Sequence, residues 1–398
     1  MKILVINCGS SSVKCTLFTM PERQALATGL VEKIGEGGTA MTVEAGGESS
    51  AGPCAGETHA EALRLLLDAI RDRHVIESMD ELSAVGHRVV HAGELTDSVV
   101  VDRKILDLVR EQAIFAPLHN PPNLAGLEAA LELLPDRPHV AVFDTAFHAG
   151  MPPEAFLYAL PHELYRDHGV RAYGFHGTSY RYVTGRAAEL LGIPQERLNL
   201  IALHLGNGCS AAAIRNGRSV DTSMGLTPLQ GLVMGTRSGD VDPGLFFFLI
   251  QRLGIGADEV YAILNEQSGL LGLSGLSKDV RDVLKAASEG NESAELALSV
   301  FAYRVKKYVG AYLAVLGGAH ALVFTAGIGE NSPEVRRRAC EGLEGLGVIL
   351  DDAKNQAAVG EEAVISAEDS PVAVLVVPTD EALEIAMETY DLLREASR

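Results

Sequence analysis

At 398 residues the chain exceeds what one ordinary hydrophobic core needs, and two domains are the expectation. Hydrophobic residues make up 47% and charged residues 22%, the mix of a globular protein, and 33 basic against 53 acidic side chains leave a formal charge of −20. That balance argues against nucleic acid or an anionic membrane as a main partner, so any anion site must be built locally, from a few Arg or Lys and from backbone N–H groups.

The chain opens ILVINCGSSSVKCTLF (3–18), two strand-like runs at 2–6 and 13–19 around a turn, GSSS, that holds hydroxyls where a plain hairpin asks for Asn-Gly or Asp-Gly. A Gly-rich stretch near 34–57 reads as low in regular structure. A helix follows in HAEALRLLLDAIRDRH, with Leu63, Leu66, Leu67 and Ile70 at helical spacing. Next come a strand, AVGHRVV, and a helix with Asp102 as N-cap and Ile105, Leu108 and Val109 inward. HVAVFDT (139–145) is a buried strand ending in a carboxylate.

The theme restarts in LNLIALHLGNGCSAAAIRNGRSVDTS, a strand, a Gly-Asn-Gly turn, a strand, an Asn-Gly turn and a third short strand. Helices are expected near 257–266 and 293–316. Residues 311–328 are nearly free of charge, yet Gly317-Gly318 and His320 make them a helix end before a buried strand rather than a membrane span. The strand ALVF (321–324) leads into a Gly-rich loop and a helix at 333–343. VAVLVV (372–377) leads through Pro378-Thr379-Asp380 into a helix at 381–395. Two units of similar order, each opening on a hairpin of small turn residues, suggest a duplicated α/β domain with mixed sheets and helices on their faces. The sequence shows no basic, apolar leader, and its five cysteines (8, 15, 54, 209, 340) form no CxxC, so reduced thiols and a cytoplasmic location are expected.

Three small-residue turns directly follow apolar strands: GSSS (9–12), GNGCS (206–210) and GIGENS (327–332). Glycine lets a backbone approach a ligand, and successive N–H groups cradle anions. The third turn feeds a helix with Ser332 as N-cap and Pro333 at its first position, where a phosphate is favoured. Together the three suggest a clamped polyphosphate. A rival reading takes ALVFTAGIGENS, the following strand GVIL and Asp351 as a dinucleotide fingerprint, although Ser332 replaces its third glycine. Charged candidates sit in loops or at strand ends: Arg88, His91, His119 with Asn120, Asp144, His148, His176, Arg237, Asp240, Asp380 and Glu381. Each also has a plain structural reading as an ion pair, a core histidine or a helix cap. No His-x3-His or Cys cluster suggests a transition-metal site.

The segments INCGSSSVK, GHRVVHAGE, PLHNPPNLAG, VFDTAFH, YGFHGTS, HLGNGCS, DTSMGLTPLQGLVMGTRSGDVDPG, FTAGIGENSPEVR and PTDEALEIA resemble, in order from residue 3 to 386, the signature blocks of the acetate kinases. The resemblance implies the actin-like, sugar-kinase and Hsp70 ATPase superfamily: duplicated RNase H-like α/β domains with mixed sheets flanked by helices and an active-site cleft between lobes. It places an N-terminal lobe at 1–149 plus 380–398, on the metal and acyl side, and a C-terminal lobe at 150–379, on the nucleotide side. It implies reversible phosphoryl transfer from ATP to acetate, giving acetyl phosphate and ADP, with Mg²⁺ (or Mn²⁺), in a homodimer. Propionate and butyrate are the alternative acceptors.

By position, Asn7 and Glu381 would meet the metal and Lys14 the nucleotide phosphates. Arg88 would hold the substrate carboxylate, with Val90, Leu118, Phe175 and Pro228 forming a small acyl pocket. Asp144, His176 and Arg237 would be catalytic. His204, Leu205, Gly206, Asn207 and Gly208, then Asp279, Val280 and Arg281, then Gly327, Ile328, Gly329, Glu330 and Asn331 would line the ATP site. The chain departs from the family at Tyr180, where a second His is usual, at Cys8 and Cys209 (usually Ala), at Ala92 (usually Gly) and at Gln230 (commonly Glu).

Phosphoryl transfer asks for alignment and charge neutralisation, which Arg and His donors around a planar phosphoryl supply. A carboxylic acid substrate is already ionised near neutral pH, so Asp144 is expected to orient metal-bound water or Arg and His partners, not to take a proton. Competing classes are the dinucleotide oxidoreductase above and a non-enzymatic ATP-driven switch of the actin-like fold.

Overall fold

Two apolar runs at the start of the chain form an antiparallel pair, β1 (Lys2–Gly9) and β2 (Ser12–Thr19), in register from Lys2↔Thr19 to Gly9↔Ser12. Only Ser10 and Ser11 lie between them, and neither takes a positive φ. β3 (Gln24–Glu32), β4 (Ala40–Ala45) and β5 (Glu48–Pro53) continue the meander. The stretch expected to be irregular is thus largely strand. Gly46 and Gly47, at φ 59° and 83°, form the tight turn between β4 and β5, where two positive φ values are required.

β6 (Leu82–Val89) then pairs parallel to β1, and β8 (His139–Phe143) parallel to β6, with the two-residue β7 (Val99–Val100) at the edge. The order is β5-β4-β3-β2-β1-β6-β8-β7. Helices His59–Asp72 and Asn120–Leu133 cover one face, where Leu63, Leu66 and Ala130 pack with Leu4, Ile6 and Leu17. Helix Glu381–Ala396 covers the other, with Ile385 and Ala386 against Ile3, Val5 and Val142. Neighbours in β1 go to opposite faces, as the period of two dictates.

The second sheet repeats the plan. β9 (Leu200–Leu205), β10 (Cys209–Arg215) and β11 (Arg218–Thr222) are antiparallel, β12 (Ala321–Thr325) is parallel to β9, and β14 (Ala373–Val376) is parallel to β12, with β13 (Ala363–Val364) at the edge. Its order, β11-β10-β9-β12-β14, matches β3-β2-β1-β6-β8 strand for strand, the duplication that the sequence suggested. Asn216 and Gly217, at φ 53° and 73°, make the expected Asn-Gly turn. This computed structural model describes residues 1–396, and the chain forms two compact units, 1–149 with the segment from 380 onward, and 150–379.

Two expectations need correction. GIGENS is not an open loop, because Ala326–Asn331 is a short helix entered through Ala326 at φ 63°. GVIL makes only isolated bridges, Val348↔Val372 and Leu350↔Ser366, and Asp351 caps its own helix by accepting from the Lys354 amide at 3.0 Å. The dinucleotide reading therefore loses both its second strand and its ribose-binding acid. Ser332 does cap Pro333–Cys340, accepting from Val335 N–H. Helix Glu292–Leu316 ends at Gly317 in the left-handed region, ahead of β12. No helix among the described residues is long and apolar enough to cross a membrane.

Candidate active site

Parallel strands end together, so β1, β6 and β8 bring Asn7, Arg88 and Asp144 to one edge of the first sheet: Asn7 follows Ile6, the partner of His87, and the Asp144 amide donates to Val89 O at 3.0 Å. Arg88 grips Asp144 with two parallel bonds, Nε to Oδ1 at 3.2 Å and Nη2 to Oδ2 at 2.7 Å. The Asp144 side chain is 2% exposed, and Glu381 lies 3.6 Å from Arg88 Nε. Burial disfavours the Arg88 cation, but Asp144 and Glu381 outweigh it and hold the guanidinium above its ordinary range. Burial lifts Glu381 above the usual carboxylate range, against the pull of Arg88 and Lys14. Asp380 Oδ1 accepts from the Leu383 amide at 2.9 Å, a helix-cap role that sets the first turn carrying Glu381.

The PLHNPPNL segment is mainly structural. Asn120 bonds both backbone groups of His91 at 3.0 Å, while Asn123 takes the Val90 amide at 3.0 Å and gives to Cys8 O at 2.8 Å. These clasps fix the chain just beyond Arg88. Val90 is buried and Leu118 half exposed. Burial pushes the His91 imidazole down to about 4. Cys8 is also explained: a Cβ added at Gly126 would lie 2.1 Å from its Sγ, so the thiol fills space that a glycine leaves open.

In the second unit His176, Arg237 and the GNG turn come together. A Cβ on Gly208 would lie 3.6 Å from Arg237 Nη1 and 3.6 Å from His176 Nε2, so both donors flank one point over the glycine backbone. His176 sits at φ 59°, outside the helix Gly177–Leu191 that it precedes, a strained backbone of the kind found at functional sites. Its ring stacks on His204 with centroids 4.0 Å apart, and its Nδ1 meets Ser210 Oγ at 2.8 Å. Arg237 Nη1 donates to Pro228 O at 3.2 Å, and burial pulls its pKa below the ordinary value. Phe175 is buried beside His176 in the chain.

Asp240, three residues on, braces this loop. It accepts from Gly231 N–H at 2.9 Å and from the Tyr308 hydroxyl at 2.7 Å, which makes it a structural acid. Gly235 N donates to Asn207 O at 3.0 Å, tying the Arg237 loop to the turn.

A cavity of about 690 Å³ is lined by Gly206, Asn207, Asp279, Val280, Arg281, Gly327, Ile328 and Asn331, all expected nucleotide positions. Ser332, the last residue of the expected GIGENS turn, joins them, as do Lys278 and Leu284, which were not anticipated. Lys278 immediately precedes the expected Asp279, and Leu284 lies one turn along its helix, so neighbouring positions carried a signal. Asp279 caps that helix, and Arg281 with the capped amide holds its carboxyl down at about 2. His204, Leu205, Gly208, Gly329 and Glu330 do not line the cavity. His204 and Leu205 are buried in β9, and Glu330 accepts from Thr379 N–H at 3.0 Å.

Arg336, wholly buried, also escaped the sequence reading. It donates to the carbonyls of Gly329 (2.8 Å), Glu330 (2.9 Å), Asn355 (2.9 Å) and Ala358 (2.6 Å), and to Asn355 Oδ1 at 2.8 Å. Helical carbonyls of the GIGEN segment are thereby satisfied by one side chain, and burial pulls its pKa down to about 10. The buried thiols Cys8, Cys15, Cys209 and Cys340 are pushed up to about 12 and are inert as nucleophiles.

The family model described as "Acetokinase family" matches residues 2–387. An acetate kinase of Alkaliphilus metalliredigens is 53% identical over 99% of this chain and 100% of its own. The crystal structure of Porphyromonas gingivalis acetate kinase superposes with a TM-score of 0.93 at 46% identity, covering 98% of this chain and 99% of that one. A propionate kinase structure from Francisella tularensis gives 0.91 at 40%, covering 97% and 98%. With strand order, site geometry and these likenesses in agreement, the chain belongs to the acetokinase family.

Proposed function

We propose that this protein reversibly transfers the γ-phosphoryl group of ATP to acetate, giving acetyl phosphate and ADP by direct in-line transfer. The observation that carries the reading is the pair of donors, Arg237 Nη1 and His176 Nε2, each 3.6 Å from one point over Gly208. A phosphoryl in flight spreads charge over three oxygens, and two fixed donors stabilise it more than they stabilise the ground state. The unit 150–379 is the nucleotide side, with the base and ribose in the cavity between Asp279–Arg281 and Gly327–Asn331. The rest of the chain is the metal and acyl side. There Arg88 spends Nε and Nη2 on Asp144 and keeps Nη1 for the acetate carboxylate. Val90 and Leu118 are acyl-pocket residues of this side.

Asp144 acts in this reading by holding Arg88 rather than by moving a proton. Glu381 and Asn7 offer hard oxygen donors, which suit Mg²⁺ (or Mn²⁺) that keeps water and phosphate as its other ligands. Bound there, the ion supplies charge neutralisation to the phosphates, and Lys14 lies within electrostatic reach of Glu381 to add to it.

Acetate is preferred over longer acids because the named relatives at 46–53% identity are acetate kinases, against 40% for the propionate kinase. The test is hydroxylamine trapping of acyl phosphate with ATP, Mg²⁺ and each of acetate, propionate and butyrate. Acetate should give the highest kcat/KM, and no trapped product from any acid would refute the reading. ATP binding without carboxylate-dependent ADP release would favour the non-enzymatic switch instead.

The protein also acts as a cytoplasmic homodimer in this reading. Helix Gly244–Leu253 supports that, exposing Phe246, Phe247, Phe248, Ile250 and Leu253, an apolar face suited to a second copy. Phe247→Asp should shift the sedimentation coefficient from dimer to monomer.

A further inference from the structure

Tyr180 is wholly buried and lies one helical turn beyond His176, its amide donating to His176 O at 3.0 Å. Both side chains reach Ser210 on β10. Tyr180 Oη is 2.5 Å from Ser210 Oγ, which in turn is 2.8 Å from His176 Nδ1. A serine hydroxyl has one hydrogen, so it donates to one of these neighbours and accepts from the other. The phenol is the strongest acid of the three and the imidazole nitrogen the strongest base. The favoured order is therefore Tyr180 O–H to Ser210 Oγ, and Ser210 O–H to His176 Nδ1.

With Nδ1 accepting, the ring hydrogen sits on Nε2, the nitrogen that faces the point shared with Arg237 Nη1. The opposite order would turn an Nε2 lone pair toward that point, where it would repel phosphoryl oxygens. Ser179 steadies the arrangement from the next position, its Oγ 2.9 Å from Nδ1 of the stacked His204.

We propose that Tyr180 is a positioning residue which, through Ser210, locks His176 in the Nε2–H tautomer, so that the imidazole presents a hydrogen-bond donor beside Arg237. The inference rests on the reading of His176 as a phosphoryl-stabilising group, and it gives the departure at position 180 a purpose: a phenol is the stronger hydrogen-bond acid and favours donation to Ser210.

The test is long-range ¹H–¹⁵N NMR of histidine-labelled protein, with His176 assigned by the signals lost in His176→Gln. The wild type should show the Nε2–H pattern, and Tyr180→Phe a mixture of tautomers. Deleting a whole oxyanion donor costs roughly 10²–10³-fold in kcat; the Phe variant should lose less, on the order of tenfold to a hundredfold, with little change in either KM. Ser210→Ala should match it and Ser210→Thr should retain most activity. The double variant Tyr180→Phe/Ser210→Ala should be no worse than Ser210→Ala alone, because both cut one chain.

An Nδ1–H pattern in the wild type, or an unchanged tautomer and kcat in Tyr180→Phe, overturns the proposal. If Tyr180→Phe fails to fold, the wild-type spectrum and Ser210→Ala decide it by the same criteria. Full kcat in His176→Gln would instead sink the phosphoryl role, while the tautomer spectra still judge the relay.

Discussion

The two sheets share a strand order, yet the groups gathered near the ends of their parallel strands reach opposite electrostatic solutions. In the first unit Arg88 is already balanced, by a bidentate pair with Asp144 and by Glu381 at 3.6 Å. In the second, the partners of Arg237 among the described residues are neutral, the Pro228 carbonyl and the Met234 sulfur, and His176 leans on a serine. A compensated guanidinium orients; an uncompensated one waits for an anion. Duplication supplied the scaffold twice, and a handful of side chains gave the two units different charge surroundings.

That contrast breaks most sharply at Arg237. Arg237→Ala should lower kcat roughly 10²–10³-fold, about 3–4 kcal/mol, with a smaller change in KM for acetate. Steady-state kinetics showing near wild-type kcat would erase the distinction between the units. In the first unit Asp144→Asn should free Arg88 from its charge partner and lower kcat/KM for acetate by about 2–3 kcal/mol, the scale of a charged hydrogen bond. At saturating Mg²⁺ its pH–rate profile should keep the limbs of the wild type. A limb that disappears would mean that Asp144 moves a proton.

The hairpins differ as well. Cys209 donates to a carbonyl of its own turn, Gly206 O at 3.1 Å, whereas Cys8 depends on the missing Cβ of Gly126. Gly126→Ala should destabilise the protein by about 1–3 kcal/mol through overpacking. Adding Cys8→Ala should recover part of that loss in chemical denaturation, since the Cys8 Cβ would still lie 2.9 Å from the new methyl.

The smallest effect concerns acid. β6 and β8 carry His87 and His139, bonded Nε2 to Nδ1 at 2.9 Å, while the equivalent β12 and β14 carry no histidine. Burial drives His87 well below its ordinary 6.5, and burial also lowers His139. Below about 6.5 the unfolded chain therefore binds protons that the folded one refuses. The stabilisation is full above that pH and falls as the medium is acidified, by at most about 1.4 kcal/mol per pH unit and group. Hydrogen-exchange protection at 82–89 and 139–143 should drop between about pH 7 and 5.5 by more than at 321–325.

Much of this was legible in the residues. Alternating apolar runs and Asn-Gly or Gly-Asn-Gly turns located β9, β10 and β11, and Asp102, Ser332 and Asp380 were caps that local chemistry alone identifies. The stretch 34–57 misled because its Gly-Gly pair was read as looseness rather than as a turn, and because β5 is exposed along its whole length, held by backbone pairing with β4. GIGENS misled for another reason. Its glycines permit a loop, but Arg336, from the helix beyond it, binds the Gly329 and Glu330 carbonyls and steadies a helical turn.

The family and the duplicated α/β plan reside in local periodicity and in ordered motifs, so the residues in order are enough to reveal them. The surroundings of each charged group were settled in space. Whether Arg88 faces an acid, whether Arg237 goes without one, and which nitrogen of His176 carries hydrogen depend on atoms brought together from distant segments. Electrostatic interaction acts through space rather than along the chain, so its outcome was decided only when the strands were laid side by side.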